Sequence, residues 1–203
     1  MRKYILMILA MFSLPCLAAC TADMDSTANT TTEPAHISIP TTEESLPSAA
    51  ADTTDSSFSD YDLFEETYLE TLDMIYSYPN EEIALANLTP ERRMFYIASI
   101  YDMEIQNGGL CQFFVNHSNS LAPYVEEALS AIGAESHRQL FADFITDNKI
   151  DTHNLDSFII SDISEYAAQT QRYDFNTFDS RYYKMTPLYE YMAKYIRQNP
   201  DAF

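Results

Sequence analysis

The stretch Asp102-Met103-Glu104-Ile105-Gln106-Asn107-Gly108-Gly109-Leu110-Cys111-Gln112-Phe113-Phe114-Val115-Asn116 is the most distinctive in the chain. A polar cluster in it lies directly against an aromatic run. Before it, apolar residues recur at helical spacing, and Thr89-Pro90 supplies an N-cap followed by proline at the first helical position. The pattern predicts a helix that stops at Asn107-Gly108, where glycine accepts the left-handed conformation that closes helices. Its predicted inward face consists of Met94, Ile97, Ala98, Tyr101 and Ile105.

Glycine and proline are sparse on either side of this stretch. From residue 58 onward the chain has three glycines, Gly108, Gly109 and Gly133, and five prolines, all of them near the ends of apolar-periodic segments. Such punctuation is typical of helix boundaries. The sequence therefore predicts an all-α fold, a single compact domain of about six to eight helices.

The other helices follow from the same periodicity. The pattern predicts helices over residues 60–78, 82–88, 121–132 and 135–146, with Pro123 in the first turn of the third and Gly133 as its stop. Residues 158–170 also look helical, residues 147–152 are a polar loop, and residues 174–183 are ambiguous. A final helix is opened by Thr186-Pro187 and ended by Asn199-Pro200.

The N-terminus has the pattern of an export signal. Arg2 and Lys3 precede an apolar run too short to span a bilayer, and a small-residue stretch follows. Leu17-Ala18-Ala19-Cys20 resembles the bacterial lipobox, in which the cysteine is acylated. We therefore expect residues 1–19 to be a lipoprotein signal peptide and Cys20 to carry lipid outside the cytoplasm, on the cell membrane or the outer membrane. An ordinary signal peptide with a chance cysteine is the alternative.

Residues 20–57 and residues 58–203 differ in composition. The first segment is rich in Ser, Thr, Ala and Pro, has seven acids, and lacks Lys and Arg, which predicts a disordered tether. The second holds nearly all of the Tyr and Phe and is long enough to bury a proper core. It has nine Lys and Arg residues against 24 Asp and Glu, a formal charge of −15. This charge argues against nucleic acid as a ligand and favours basic proteins or cations as partners.

The central stretch is also the basis of a family resemblance. Glu104, Asn107, Gly108, Gly109, Gln112, Phe113 and Asn116 form the pattern Glu-x-x-Asn-Gly-Gly with a following Gln, Phe and Asn. Together with residues 128–134, 178–183 and 195–203, it resembles the bacterial family named after a DNA-mimic protein. The resemblance covers residues 92–203 and implies a small all-helical domain. It also implies binding of a DNA-binding protein through surface carboxylates, although an exported chain would not meet a cytoplasmic transcription factor.

The sequence has candidate residues for catalysis and for metal binding, but structural roles explain them better. Glu104, Asn116 and His117 could form a proton-transfer site, but Glu104 is placed to hydrogen-bond the turn or neighbouring helix termini instead, and His117 lies in a polar loop. The four histidines show no paired spacing for zinc. In the acidic loop after residue 146, Lys149 occupies the third ligand position of a calcium site and the required glycine is missing. We predict no catalytic residue, metal or cofactor.

Cys111 is the one cysteine left in residues 58–203, which excludes an intrachain disulfide there. Its apolar neighbours predict a buried, unreactive thiol rather than a nucleophile. The leading hypothesis is thus a lipid-anchored, acidic, all-helical module that binds a basic protein without catalysis, with no small-molecule ligand inferred. The alternative is an envelope hydrolase or small-ligand-binding protein with a site near Glu104, Asn107 and Asn116.

Overall fold

The computed structural model describes residues 59–203. The predicted signal peptide and the whole predicted tether, Cys20 included, lie outside the described residues. The all-α prediction is confirmed, because residues 59–203 contain helices and no strand. The α-helices are α1 (Asp60–Tyr76), α2 (Glu81–Asn87), α3 (Pro90–Val115), α4 (Val125–Ala131), α5 (Glu135–Asn148), α6 (Ile163–Gln169), α7 (Phe175–Tyr182) and α8 (Leu188–Gln198). Short 3₁₀ segments span His117–Tyr124, Asp156–Phe158 and Pro200–Ala202.

Polar side chains begin several of these helices. Ser59 and Asp62 form a reciprocal capping box at α1, and Asn80 accepts the Ile83 N–H at the start of α2. Thr89 caps α3 with Pro90 at its first position, as the sequence predicts. Each cap satisfies an N–H group that has no partner inside its helix. The local sequence therefore sets where the chain enters each helix.

Two predicted helices differ from the structure. The predicted helix 121–132 is a 3₁₀ segment up to Tyr124 followed by α4, because Pro123 disfavours α-helical geometry at the residue before it, Ala122. The predicted helix 158–170 shortens to α6, which Asp162 caps and which buries none of its residues. The ambiguous residues 174–183 form α7.

The core surrounds α3. Phe95, Ile97, Tyr101 and Ile105 are all at most 1% exposed, and α3 contacts α1, α4, α7 and α8. The Tyr101 ring meets Phe113, Phe141 and Tyr182 edge-on, with centroids 5.4 to 6.0 Å apart. Edge-on aromatic pairs add to the free energy of area burial. The aromatic run noted in the sequence is thus the centre of the core.

Helix α1 packs along α8 and presents its opposite face to solvent. Thr67, Tyr68, Thr71, Leu72 and Ile75 are its buried residues. Its start is tied to α8 by an ion pair of 2.6 Å between Asp60 and Arg197. Among residues 59–203, no helix is long and apolar enough to cross a membrane.

The buried guanidinium of Arg92 joins three distant parts of the chain. It donates hydrogen bonds to Thr71 Oγ1 of α1 at 3.3 Å, to the Ala202 carbonyl oxygen at 3.4 Å and to the Phe203 carbonyl oxygen. It also lies 5.3 Å from the centroid of the Phe203 ring. Burial lowers the pKa of Arg92, opposed by the nearby Glu70 carboxylate. The start of α3 therefore holds both α1 and the last residues of the chain.

Candidate functional site: the helix break in α3

Helix α3 loses helical geometry at its two glycines. Gly108 has φ −160° and ψ 19°, and Gly109 has φ 79° and ψ 177°. The predicted helix end at Asn107-Gly108 is confirmed, and a second helical part of α3 begins directly after the two glycines and runs to Val115. The positive φ belongs to Gly109, whereas the sequence predicted a left-handed Gly108. The two non-helical residues form a kink between the two helical parts.

Asp179 of α7 approaches Gly109 so closely that there is no room for a side chain at this position. Its Oδ1 accepts the Leu110 N–H at 2.9 Å, which caps the second part of α3. A Cβ on Gly109 would lie 2.2 Å from Asp179 Oδ2, closer than side chains approach one another. At Gly108 a Cβ would instead meet Gln112 Oε1 at 2.0 Å. The double glycine admits a carboxylate from a distant helix and an amide from the next turn.

The last residue of α7, Tyr182, and the residue after it, Tyr183, donate two further hydrogen bonds at the break. The Tyr183 hydroxyl donates to the Ile105 carbonyl oxygen at 2.6 Å, and the Tyr182 hydroxyl donates to Asp102 Oδ1 at 2.8 Å. Burial raises the pKa of Asp102, opposed by the bonds from Tyr182 and Gln106. Burial also raises the pKa of Asp179, opposed by the Leu110 N–H. Asp179 and Tyr182 of α7, with Tyr183 directly after it, thus all hydrogen-bond the segment of α3 around the break.

Glu104 connects the two parts of α3 to the following 3₁₀ segment. Its Oε2 accepts from Gln112 Nε2 and from Asn116 Nδ2, both at 2.8 Å, and its Oε1 accepts from the Ser118 hydroxyl at 2.7 Å. Both oxygens are therefore engaged. These partners lie at the end of α3 and the start of the 3₁₀ segment, which confirms the expected bonds to neighbouring helix termini rather than to the Asn107-Gly108 turn. His117 is exposed and is not among the hydrogen-bond partners of Glu104.

The residues predicted as a site from the sequence thus separate into three groups. Glu104, Gln112 and Asn116 meet in one hydrogen-bond network, and the two glycines lie beside it at the break. Asn107 is exposed, and Phe113 is fully buried in the core. Sequence reasoning missed Asp179 and Tyr182 as partners of the glycine motif. Residues 178–183 contributed to the family resemblance, but a separation of about 70 residues concealed the pairing.

Cys111 lies on the buried side of the break and is 2% exposed. Burial, with the Asp179 charge as a smaller cause, raises the pKa of the thiol to about 12. At neutral pH the group is a thiol and not the nucleophilic thiolate. The predicted burial of Cys111 is confirmed.

Two cavities on the described part of the chain lie away from the break. One, of about 440 Å³, is lined by Ile159, Glu165, Ala168, Gln169 and Arg172. The other, of about 410 Å³, lies between α2, the first turns of α3 and the segment His117–Tyr124. Within residues 59–203, no three His, Cys, Asp or Glu side chains are grouped so that they could hold a metal ion. The polar network of the break caps and joins the two parts of α3.

The fold defines a class: an all-helical domain whose central helix is broken at a double glycine and held there by carboxylates. A family model described as DMP19-like protein matches residues 86–199. The chain belongs to the DMP19-like protein family. The break and its partners in α7 lie inside the matched residues, whereas α1 and nearly all of α2 precede them. No curated protein and no solved structure matches the chain.

Proposed function

We propose that this protein is a non-enzymatic interaction module that binds a basic protein partner through exposed carboxylates, held at a membrane surface by lipid on Cys20. Family membership supports the interaction role, because the resemblance to the DNA-mimic family implies binding through surface acids. The observation that carries the proposal is the number of carboxylates without a counter-ion. Among the 24 acids of residues 59–203, ion pairs engage three, Asp60, Glu126 and Glu135.

Several of the scarce cations are used inside the molecule. Arg92 is buried against carbonyl groups, and Arg138 pairs with Glu126 at 3.1 Å and with Glu135 at 2.6 Å. Arg172 donates to the Ser157 carbonyl oxygen at 2.8 Å and covers the Phe158 and Tyr173 rings. Arg197 pairs with Asp60. Four of the nine cations are thus committed, which leaves the surface field strongly negative.

Helix α1 carries the most regular row of acids. Asp62, Glu66, Glu70 and Asp73 are all exposed and lie opposite the buried face of the helix. At 1.5 Å per residue, neighbouring members of the row are about 5 to 6 Å apart along the helix axis. A single strand of DNA has one charge about every 3.4 Å along the axis, so this row is sparser than a phosphate backbone. It suits attraction of a basic protein better than close imitation of DNA.

Export determines which partner fits the proposal. A transcription factor of the cytoplasm is excluded if Cys20 is lipidated, so the proposed partner is a basic protein of the envelope or of its surroundings. The carboxylates attract it through long-range charge, and the binding weakens as salt screens that charge.

Capture at two salt concentrations tests the interaction. The full chain is immobilised and exposed to envelope extract in about 50 mM and about 500 mM salt, between which the screening length shortens severalfold. We expect a basic protein to be retained at low salt and released at high salt. The triple variant Glu66→Gln, Glu70→Gln, Asp73→Asn should retain less of it than the matched variant Glu127→Gln, Asp147→Asn, Glu190→Gln. Retention that salt does not change would contradict the proposal.

Membrane attachment has a separate test. Cys20→Ala removes the proposed acylation site, so the variant should move from the membrane fraction to the soluble fraction while the parent chain stays with membranes. Metabolic labelling with a fatty acid should mark the parent and not the variant. Unchanged fractionation would overturn the anchor while leaving the interaction proposal in place.

A further inference from the structure

The groove between α2, the first turns of α3 and the segment His117–Tyr124 combines an apolar floor with an acidic rim. Ile97 and Leu121, 1% and 2% exposed, form part of the floor. Leu85 and Ala86 of α2 add to its apolar surface. A groove of about 410 Å³ with such a lining accommodates one or two aliphatic side chains. Burial of those side chains is its attractive contribution.

Two carboxylates stand at the rim. Glu81 and Glu82 occupy the first turn of α2, which Asn80 caps. The Tyr96 hydroxyl donates to Glu81 Oε1 at 2.7 Å and fixes that side chain, while Glu82 is exposed. Within the described part of the chain neither carboxylate forms an ion pair. The rim therefore has negative charge that the protein itself leaves uncompensated.

Tyr124 and Arg93 complete the lining. The Tyr124 ring is 49% exposed and offers a face over which a cation is attracted. Arg93 also lines the groove, but its Nε–H is closed off from solvent and has no hydrogen-bond partner. One guanidinium stands against two carboxylates, in a domain whose overall charge is −15. The balance of charge in the groove favours a cationic occupant.

We propose that this groove docks a cationic, partly apolar segment of a protein partner, with leucine-like side chains on the floor and lysine or arginine at Glu81, Glu82 and Tyr124. The inference rests on the proposed function and names the surface through which it acts. Glu81, Glu82 and Leu85 precede the residues matched by the family model, so α2 gives this chain an acidic rim beside the family domain.

Tryptophan substitution provides a reporter, because the chain has no tryptophan. Tyr124→Trp places the only indole at the groove, and Tyr61→Trp places it at an equally exposed position outside the groove lining, 50% against 49%. The probe is a short synthetic peptide in which lysine alternates with leucine, titrated into the full chain. We expect saturable fluorescence change from Tyr124→Trp and none from Tyr61→Trp. A peptide with serine in place of leucine should bind about tenfold more weakly.

Charge variants in the Tyr124→Trp background test whether the groove attracts positive charge. Glu82→Gln should weaken binding of the lysine-leucine peptide about three- to fivefold, and Arg93→Gln should not weaken it. Glu127→Gln has the same charge change outside the groove lining and should have little effect, and circular dichroism verifies that each variant is folded. Unchanged affinity in Glu82→Gln, weaker binding in Arg93→Gln, or an equal response from both tryptophans would overturn the groove. Salt-sensitive binding with any of those results would leave the proposed function standing, whereas no peptide binding at low salt would contradict both.

Discussion

The carboxylates of the helix break and those of α1 and α2 are used in opposite ways. At the break, Glu104 accepts three side-chain hydrogen bonds and Asp179 caps the resumed helix. On α1, Glu66 and Glu70 face solvent with no ion pair among residues 59–203. A carboxylate of which both oxygens accept bonds from its own chain, as in Glu104, is poorly available to a partner. The most distinctive motif of the sequence is therefore architectural, and the less distinctive acids are the candidates for binding.

This contrast follows the limits of the family match. The break lies inside residues 86–199, and α1 lies before them. The matched segment thus contains the internal network, while the acidic row and two rim carboxylates of the groove are placed on helices that begin outside it. Substitution of the exposed acids on α1 and α2 therefore removes no hydrogen bond of the break. Four measurements challenge or refine this division.

The largest expected effect is at Gly109. Gly109→Ala combines a positive φ, costing about 1 to 2 kcal/mol, with displacement of the Asp179 cap, costing about as much again. We expect the free energy of unfolding in urea to fall by about 3 kcal/mol. Gly133→Ala is the matched control, since Gly133 also has positive φ but a Cβ there meets no atom within 4 Å. Equal losses in the two variants would show that the approach of Asp179 contributes nothing.

The next effect is at Glu104. Glu104→Ala leaves the donors of Gln112, Asn116 and Ser118 without their acceptor in a partly buried network. A buried polar group without a partner costs more free energy than a hydrogen bond contributes. We therefore expect the free energy of unfolding, measured in urea, to fall by about 2 kcal/mol. Glu127→Ala, on the exposed face of α4, should change the free energy of unfolding by less than about 0.5 kcal/mol. A Glu104→Ala variant as stable as the control would remove the contrast drawn above.

His137 provides a smaller, pH-dependent effect. It is 1% exposed between the Tyr182 and Tyr191 rings, and burial lowers its pKa to about 4. The unfolded chain has a histidine pKa of about 6.5, so it binds more protons than the folded chain between these values. Stability is therefore full above pH 6.5 and falls as pH drops towards 4, by on the order of 1 to 2 kcal/mol at pH 5.

Unfolding curves between pH 7 and pH 5 test this assignment. His137→Phe should flatten the dependence of stability on pH, whereas exposed His153→Gln should retain it. Asp102 and Asp179 act in the opposite direction, since their raised pKa values let the folded chain take up protons more readily as pH falls. An unchanged slope in His137→Phe would assign the acid sensitivity to other groups.

The smallest effect is expected on α1. Glu66→Gln with Glu70→Gln should change the free energy of unfolding by less than about 0.5 kcal/mol, because both side chains are exposed. The same change should reduce salt-dependent partner capture. A stability loss comparable to that of Glu104→Ala would mean that the acidic row is structural as well.

Local features predicted much of this fold. Thr89-Pro90 begins α3 as expected, and the apolar residues from Met94 to Ile105 are buried. The errors are at helix boundaries, where the sequence pattern alone does not fix the local geometry. Pro123 is expected in the first turn of an α-helix, but it lies inside a 3₁₀ segment.

The break itself shows what sequence patterns miss. The glycine pattern predicts the end of the first helical part of α3, but no local pattern shows that a second part begins at once with its Leu110 N–H capped by Asp179. The bond depends on the packing of α7 against α3, which no local rule contains. Similarly, the groove at Glu82 and Tyr124 joins residues about 40 positions apart, and no spacing in the sequence signals it.

The hydrogen bonds of Arg92 have a mechanical consequence. If Cys20 carries the proposed lipid while a partner binds the domain, tension on the chain enters the described residues at α1. Arg92 binds Thr71 of that helix together with the carbonyl oxygens of Ala202 and Phe203, so a pull on α1 is shared with the last turn of the chain rather than peeling one helix away. Under load, the two ends of the domain should yield together, as one cooperative event in a force-extension trace, and Arg92→Ala should separate that event into two.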